Sequence, residues 1–457
     1  MQARQKMIEE LAEFIGFASV SSRPQNPAII DCANWLVQHF KSIGMQQAVA
    51  YKTGSHPVVY ASHHIHPSAP TILFYGHYDV QPDDPADKWN TLPFEAVVKG
   101  NYIYGRGASD DKGQVFIHIK AVEQLLILKT LRVNVKFLIE GAEEIGSVGL
   151  KDFIRSNKAL LQNDAVVVSD TKMAAIDIPA ITWSLRGSLN AEIVVQTANK
   201  DLHSGTFGGY VPNAAITLSN FISNLFNKDL SIAIPGFYDD VKILSAAERK
   251  LIKVHGISDK KLVEEAEAFS RWGEEKYSLQ ERVTTRPSLA VTGIISGFQG
   301  TGVKNIIPSI ASVKLNFRLV PYQQPEKIKY LLDKYIEQAL SQTRIKKIYS
   351  SFNNPVSVPL KNSYIKAAVK ACEKVFGQPV KYMQNGGTIG AVEYLHTILK
   401  TPVILLGFAQ ATDNMHAPDE RFYLPNFFRG IDTIKAFINN VALLKHQTIV
   451  HDTTPYY

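Results

Sequence analysis

Two styles of hydrophobic patterning alternate along the chain. The first consists of short, largely apolar runs bounded by turn residues, the pattern of strands buried on both faces of a sheet. Four such runs, residues 72–75, 133–139, 165–168 and 402–408, are each followed by His, Asp or Glu. The first stops at Gly76 and delivers His77 and Asp79. The second leads into Gly141-Ala142-Glu143-Glu144, the third into Ser169-Asp170, and the fourth, after a short loop, into His416. Polar groups at the end of a buried strand are costly unless they are paired or bound to a metal. In an open α/β sheet the ligand crevice lies beyond the carboxyl ends of the strands. The four runs therefore aim their donors at one place.

Helical periodicity surrounds these runs. Met7, Ile8, Leu11, Phe14 and Ile15 share one face, as do Ile29, Ile30, Ala33, Leu36, Val37, Phe40 and Ile43, with Gly44 as a stop. Val115, Ile119, Val122 and Leu126 stripe a third helix, and residues 58–62 read as a strand. The second style begins at Leu189. There Leu189, Ala191, Ile193 and Val195 alternate with Asn190, Glu192 and Gln196, which marks a half-exposed strand. A helix opened by Pro212 follows, with Ala215, Leu218, Ile222 and Leu225 on one face. Residues 240–283 are helical in pattern but highly charged, like a solvated insertion. Strand-like segments at 289–295, 311–319 and 345–352, with a helix at 325–340, complete a β-α-β-β-α-β order, a small sandwich with helices on one face. From about residue 354 the buried style returns: a helix at 364–375, the run at 402–408, and a last helix striped by Phe427, Ile431, Ile434 and Ile438. For His416 to join a site built by His77, the chain must leave one domain and come back. The expected fold is α/β: a catalytic domain with a central mixed sheet flanked by helices, residues 1–186 and 355–457, interrupted by an inserted α+β domain at 187–354.

The 457 residues suffice for two or three domains, and 45% hydrophobic with 20% charged residues is ordinary for a globular chain. A net charge of +7 without a long basic run argues against nucleic acid as a partner. No apolar stretch approaches the roughly 18 residues of a membrane span, and no basic segment followed by an apolar one marks a secretory signal. Cys32 and Cys372 fall among apolar neighbours in helix-like segments and read as buried free thiols of a reducing, cytoplasmic compartment.

The candidate chemistry rests on His77, Asp79, Asp110, Glu143, Glu144, Asp170 and His416. Asp110 sits in the Gly-rich residues 105–113, which match neither a GxxxxGK[ST] nor a GxGxxG phosphate loop. Its paired acids suit a metal better; the plainer alternative is that Ser109 or Asp110 only caps the following helix. His63, His64 and His66 lack an accompanying carboxylate or Cys and receive no role. Two His and several carboxylates form a mixed N/O set suited to Zn²⁺, with Mn²⁺ or Co²⁺ as alternatives. So many ligands exceed one catalytic zinc and fit two metals about 3.5–4 Å apart, sharing a carboxylate and a water. Asp79, two residues from His77, is placed to accept the imidazole's other N–H. Glu143 and Glu144, if extended, point opposite ways. One then binds metal while the other faces the water as general base.

GHYDVQP at 76–82, GRGASDDKG at 105–113, EGAEEIGS at 140–147, VSD at 168–170, LHSG at 202–205 and the late His416 occur in order over most of the chain. Together they closely resemble the dinuclear zinc metallopeptidases typified by carnosinase, cytosolic nonspecific dipeptidase, glutamate carboxypeptidase and succinyl-diaminopimelate desuccinylase. The resemblance implies that His77 and Asp170 bind one metal, that Glu144 and His416 bind the other, and that Asp110 bridges. It makes Glu143 the general base and Asp79 the orienter of His77, with a cis peptide at Asp110-Asp111. It also implies that the inserted domain is a lid that dimerises. His203 then reaches the partner subunit's active site to hold the substrate carbonyl oxygen, and Arg318, in NFRLVP, grips the substrate carboxylate. Asn305, Gly387 and Thr388 align with substrate-contacting positions, although carnosinase-like members carry Thr at the first and Ser at the last. The reading is a homodimeric two-metal peptidase of dipeptides or short peptides. Its rivals are a deacylase or desuccinylase of N-acyl amino acids on the same site, and a non-catalytic metal-containing homodimer.

Overall fold

The computed structural model describes residues 2–444 and divides the chain into two compact units. One comprises residues 2–183, Val358–Met383 and residues 389–444; the other comprises Ser184–Ser357 and Gln384–Thr388. Gly387 and Thr388 thus belong with the second unit, although a division by sequence blocks puts them in the first. Arg186 is the physical reason: its Nε donates to the Gly386 carbonyl at 2.8 Å and its main-chain N–H to that of Gly387 at 3.1 Å.

The first unit is built on a mixed sheet. Its strands run in the order Gln47–Tyr51, Val58–His63, Asn134–Glu140, Thr71–His77, Ala165–Val168, Val403–Leu405 and Ala180–Leu185. The four runs picked out by their terminal acids and imidazoles are its parallel centre, with His77 level with Glu140, Tyr75 with Val168, and Leu405 with Val168. Parallel neighbours require long crossovers, and helix Lys112–Ile127 supplies the one between Thr71–His77 and Asn134–Glu140. Because those strands are parallel, their carboxyl ends share one edge of the sheet, and each polar terminus emerges there. The 402–408 run yields only a three-residue strand. At Gly407 a Cβ would lie 1.8 Å from the Thr171 carbonyl oxygen, so the chain leaves the ladder where a second backbone crowds it. Phe74, Phe137 and Val167 on one face of the sheet pack with Phe14, Phe40, Phe116 and Phe437 of the covering helices.

In the second unit an antiparallel sheet runs Ser288–Ser296, Ile310–Leu319, Gly187–Gln196, Arg344–Asn353. The alternating apolar positions, Leu189, Ile193, Val313 and Phe317 among them, face helices Ala214–Ser223 and Pro325–Ala339. The charged stretch at 240–283 is mostly exposed or half-exposed, as its composition suggests. Its helices Ala246–His255 and Leu279–Thr284 both begin with reciprocal Ser/Glu caps, and the second buries Gln280, Glu281 and Thr284.

Candidate metal centre

Gly76 sets the position of His77. A side chain there would meet Val115 Cγ2 at 2.3 Å and Asp111 Oδ2 at 2.6 Å, so only glycine lets the helix that follows Asp110 close onto the strand end. His77 is fully buried, and its Nε2 lies 3.1 Å from Asp110 Oδ1. The other oxygen of the same carboxylate, Oδ2, lies 2.9 Å from His416 Nε2, and that nitrogen is 3.4 Å from Glu144 Oε2. His416 holds a left-handed backbone (φ 60) and the Asp110-Asp111 peptide is cis. Two groups of donors result, His77–Asp110–Asp170 and Asp110–Glu144–His416, each with its ligand atoms within 4.8 Å of one another. Asp110 is common to both.

The Glu143-Glu144 pair is not extended. It forms a 3₁₀ turn, Glu143–Ile145, closed by Gly146 at φ 93. The turn leaves two adjacent N–H groups without helical partners, and Asp79 takes both: Oδ1 accepts from Glu143 at 3.1 Å and Oδ2 from Glu144 at 3.0 Å. The imidazole Nδ1 of His77 meets the main-chain oxygen of Asp79 at 3.0 Å, with the carboxylate farther off at 3.4 Å. Asp79 therefore fixes the ring mainly through its backbone and spends its carboxylate on the glutamate turn. The helix-cap alternative also fails. The N-cap of Lys112–Ile127 is Asp111, whose side chain makes no cap bond. The amide of Gln114 instead holds the Ser109 carbonyl at 3.1 Å.

The clustered acids and imidazoles strongly perturb one another's proton affinities. Burial, reinforced by Asp110, Asp111 and Glu144, pushes the Asp170 carboxyl well above the usual carboxylate range. Burial likewise raises Glu143, opposed by His77 but reinforced by Asp170 and Glu144. Hydrogen bonds to Asp110 and Glu144 lift His416 to about 10. Burial works against protonation of His77, but the Asp110 and Asp79 partners more than offset it. Asp110 is held below its ordinary value despite burial, because both imidazoles face it. A buried cluster of carboxylates with only two imidazoles is stable when cations neutralise it, and the N/O donor set fits divalent metal ions.

Two residues escape sequence reasoning. Glu420, buried four positions after His416, accepts from the main-chain N–H groups of Gly107, Ser109 and Asp110 and from Arg106. In the second unit, Arg318 Nη1 donates to Thr388 Oγ1 at 2.9 Å, and that hydroxyl donates to the Arg186 carbonyl at 2.7 Å. Arg186 is itself pushed down to about 10 by burial and the nearby Arg318 charge. Neither arginine has an ion-pair carboxylate among the described residues. His203 is exposed at the end of a two-residue strand pairing with Ile306–Ile307, its Nδ1 accepting from Gly205 N, and Asn305 O accepts from Ser204 N.

No helix among the described residues is long and apolar enough to cross a membrane. The chain is 31% identical over 461 residues to Cys-Gly metallodipeptidase dug1 of Schizosaccharomyces pombe, covering 96% of each. It is 31% identical over 399 residues to the human Beta-Ala-His dipeptidase, covering 85% of this chain and 78% of that protein. The crystal structure of the M20 family metallo-carboxypeptidase Sso-CP2 from Sulfolobus solfataricus matches with a TM-score of 0.88 at 34% identity, covering 96% of this chain and 99% of that one. The model of Peptidase family M20/M25/M40 matches residues 73–440. On these grounds, and with a donor cluster at the sheet edge suited to metal, the chain belongs to Peptidase family M20/M25/M40, a family of metal-dependent hydrolases.

Proposed function

We propose that this chain is a two-metal dipeptidase, acting on dipeptides or short peptides with a free carboxylate. One observation carries the reading: the two oxygens of Asp110 each face a different imidazole, His77 on one side and His416 on the other. Such a placement would suit a carboxylate shared between two cations. His77 and Asp170 would hold one and Glu144 and His416 the other, zinc being the preferred ion and manganese or cobalt the alternatives. Bound there, the ions would supply Lewis acidity toward the scissile carbonyl and acidify a water.

The chain's own groups divide the remaining work. Glu143 lies outside both donor groups, on a turn anchored by Asp79. Its raised proton affinity suits a base that takes the water's proton and returns it to the leaving amine. Arg318, half-buried without an acidic partner and oriented by Thr388, would grip the substrate carboxylate. Thr388 has its one proton committed to the Arg186 carbonyl, so it serves by aiming Arg318. His203, from the partner subunit, would stabilise the developing oxyanion. Gly387 and Asn305 would line the substrate path. The second unit would act as lid and dimerisation surface. Ile294 and Ile295 stand exposed on an edge strand of its sheet, a surface in keeping with a homodimer. The buried free thiols Cys32 and Cys372 are in keeping with a cytoplasmic setting.

The names of the relatives, a Cys-Gly metallodipeptidase and a Beta-Ala-His dipeptidase, support dipeptides over N-acyl amino acids. The test is hydrolysis of a panel of dipeptides and N-acyl amino acids by metal-free protein reconstituted with Zn²⁺ or Mn²⁺. The reading expects turnover of dipeptides that chelator abolishes and metal restores. Turnover confined to N-acyl amino acids would overturn it in favour of the deacylase.

A further inference from the structure

We propose that Glu420, assisted by Asp413, is the positioning residue of the metal centre: from the loop that carries His416 it fixes the main chain that carries Asp110. The inference rests on the metal-site reading above and extends it to groups that touch no metal.

The geometry is specific. Glu420 is 1% exposed. Its Oε1 accepts from Ser109 N at 2.9 Å and Asp110 N at 3.0 Å. Its Oε2 accepts from Gly107 N at 3.0 Å and Arg106 Nη1 at 2.9 Å. A carboxylate offers about four acceptor directions, and all of them are in use. Three main-chain N–H groups of one short loop converge on one point, a concavity that binds an anion. Here the chain supplies the anion itself, from a residue four places after His416. The main-chain oxygen of Glu420 adds a bond from Gly105 N at 2.9 Å. Arg106 is locked in turn, its Nη2 on the Pro82 carbonyl at 3.0 Å and its guanidinium over the Trp89 ring. Asp413, also in the His416 loop, pins the same segment a second time: Oδ2 accepts from Ser109 Oγ at 2.9 Å and from Gln410 N at 2.7 Å.

The consequence is that the spacing between Asp110 and His416 is set by Glu420 rather than by the sheet. Asp110 stands between two imidazoles at 3.1 and 2.9 Å, so a shift of its main chain alters both donor groups at once. Neither of the two nearest replacements for Glu420 reproduces this set of bonds. Glutamine offers a single oxygen and sets an NH2 group against N–H donors. Aspartate is one methylene too short to reach from the same backbone.

The experiment is a competition titration of metal-free protein with Zn²⁺ against a chromophoric chelator, for wild type and Glu420→Gln, with thermal unfolding of both metal-free forms. The proposal expects zinc affinity to fall on the order of 10- to 100-fold, as for outer groups that orient metal ligands. A folded Glu420→Gln whose metal-free stability drops while its zinc affinity stays within about twofold of wild type would overturn it. If Glu420→Gln does not fold, Glu420→Asp, which keeps the charge but falls short of the loop N–H groups, reads the same link. There a several-fold weaker zinc affinity supports the proposal and an unchanged one overturns it. A wild type that binds no zinc would instead overturn the metal-site reading itself.

Discussion

Replacing Asp79 by Asn separates two roles for one buried carboxylate. Asp79 is fully buried, and its two oxygens hold the N–H groups of Glu143 and Glu144 at 3.1 and 3.0 Å. The amide introduced by D79N keeps one acceptor and turns an NH2 group toward the other N–H. One charge-assisted hydrogen bond is then lost, worth about 1.5–3 kcal/mol. If the glutamate turn yields by that amount in the transition state, kcat falls about 10- to 100-fold. The turn carries both the proposed base and the proposed ligand Glu144, so zinc should also weaken at the Asp110–Glu144–His416 group. The His77 group should hold, because the Asp79 main-chain oxygen still accepts from Nδ1. The assay is steady-state kinetics on a dipeptide alongside zinc titration of the metal-free variant. Wild-type kcat, or zinc lost from the His77 group alone, would refute the reasoning and return Asp79 to the role of imidazole orienter.

Three further substitutions bear on the remaining roles. Glu143→Gln should keep its full metal content while kcat falls by about 10²- to 10⁴-fold, the usual worth of a general base; loss of metal by elemental analysis would count against the assignment. Arg318→Ala should raise KM for free-carboxylate dipeptides by about tenfold or more, the worth of roughly one charge-assisted bond, and leave amidated analogues nearly unchanged; equal effects on both would argue against a carboxylate anchor. His203→Ala should leave a folded dimer, checked by light scattering, with almost no turnover, and unchanged rate constants would end its proposed part in oxyanion stabilisation.

The readable parts of the site were those with a burial signature. Apolar runs such as Phe74-Tyr75 and Val166-Val167-Val168 cannot end in acids and imidazoles without a partner, so His77, Asp170, Glu143 and Glu144 declare themselves. The half-exposed alternation from Leu189 marks the second unit for the same reason. The unread parts depend on distant backbone. Adjacent glutamates look extended until Gly146 and the carboxylate of Asp79 are seen to support a tight turn. Glu420, in the polar stretch HAPDE, resembles a loop acid; its partners are main-chain groups about 310 positions earlier, which no side-chain pattern records. Arg186 lies between two strands, and only its bonds to Gly386 and Gly387 show why residues 384–388 fold with the second unit.

The most direct test of the account is the zinc content of Asp110→Ala beside wild type after equilibration with Zn²⁺ and removal of excess. A carboxylate shared between two cations predicts that wild type retains two ions per chain and that this single substitution removes both. An Asp110→Ala protein that keeps the full wild-type complement would contradict the shared-carboxylate centre.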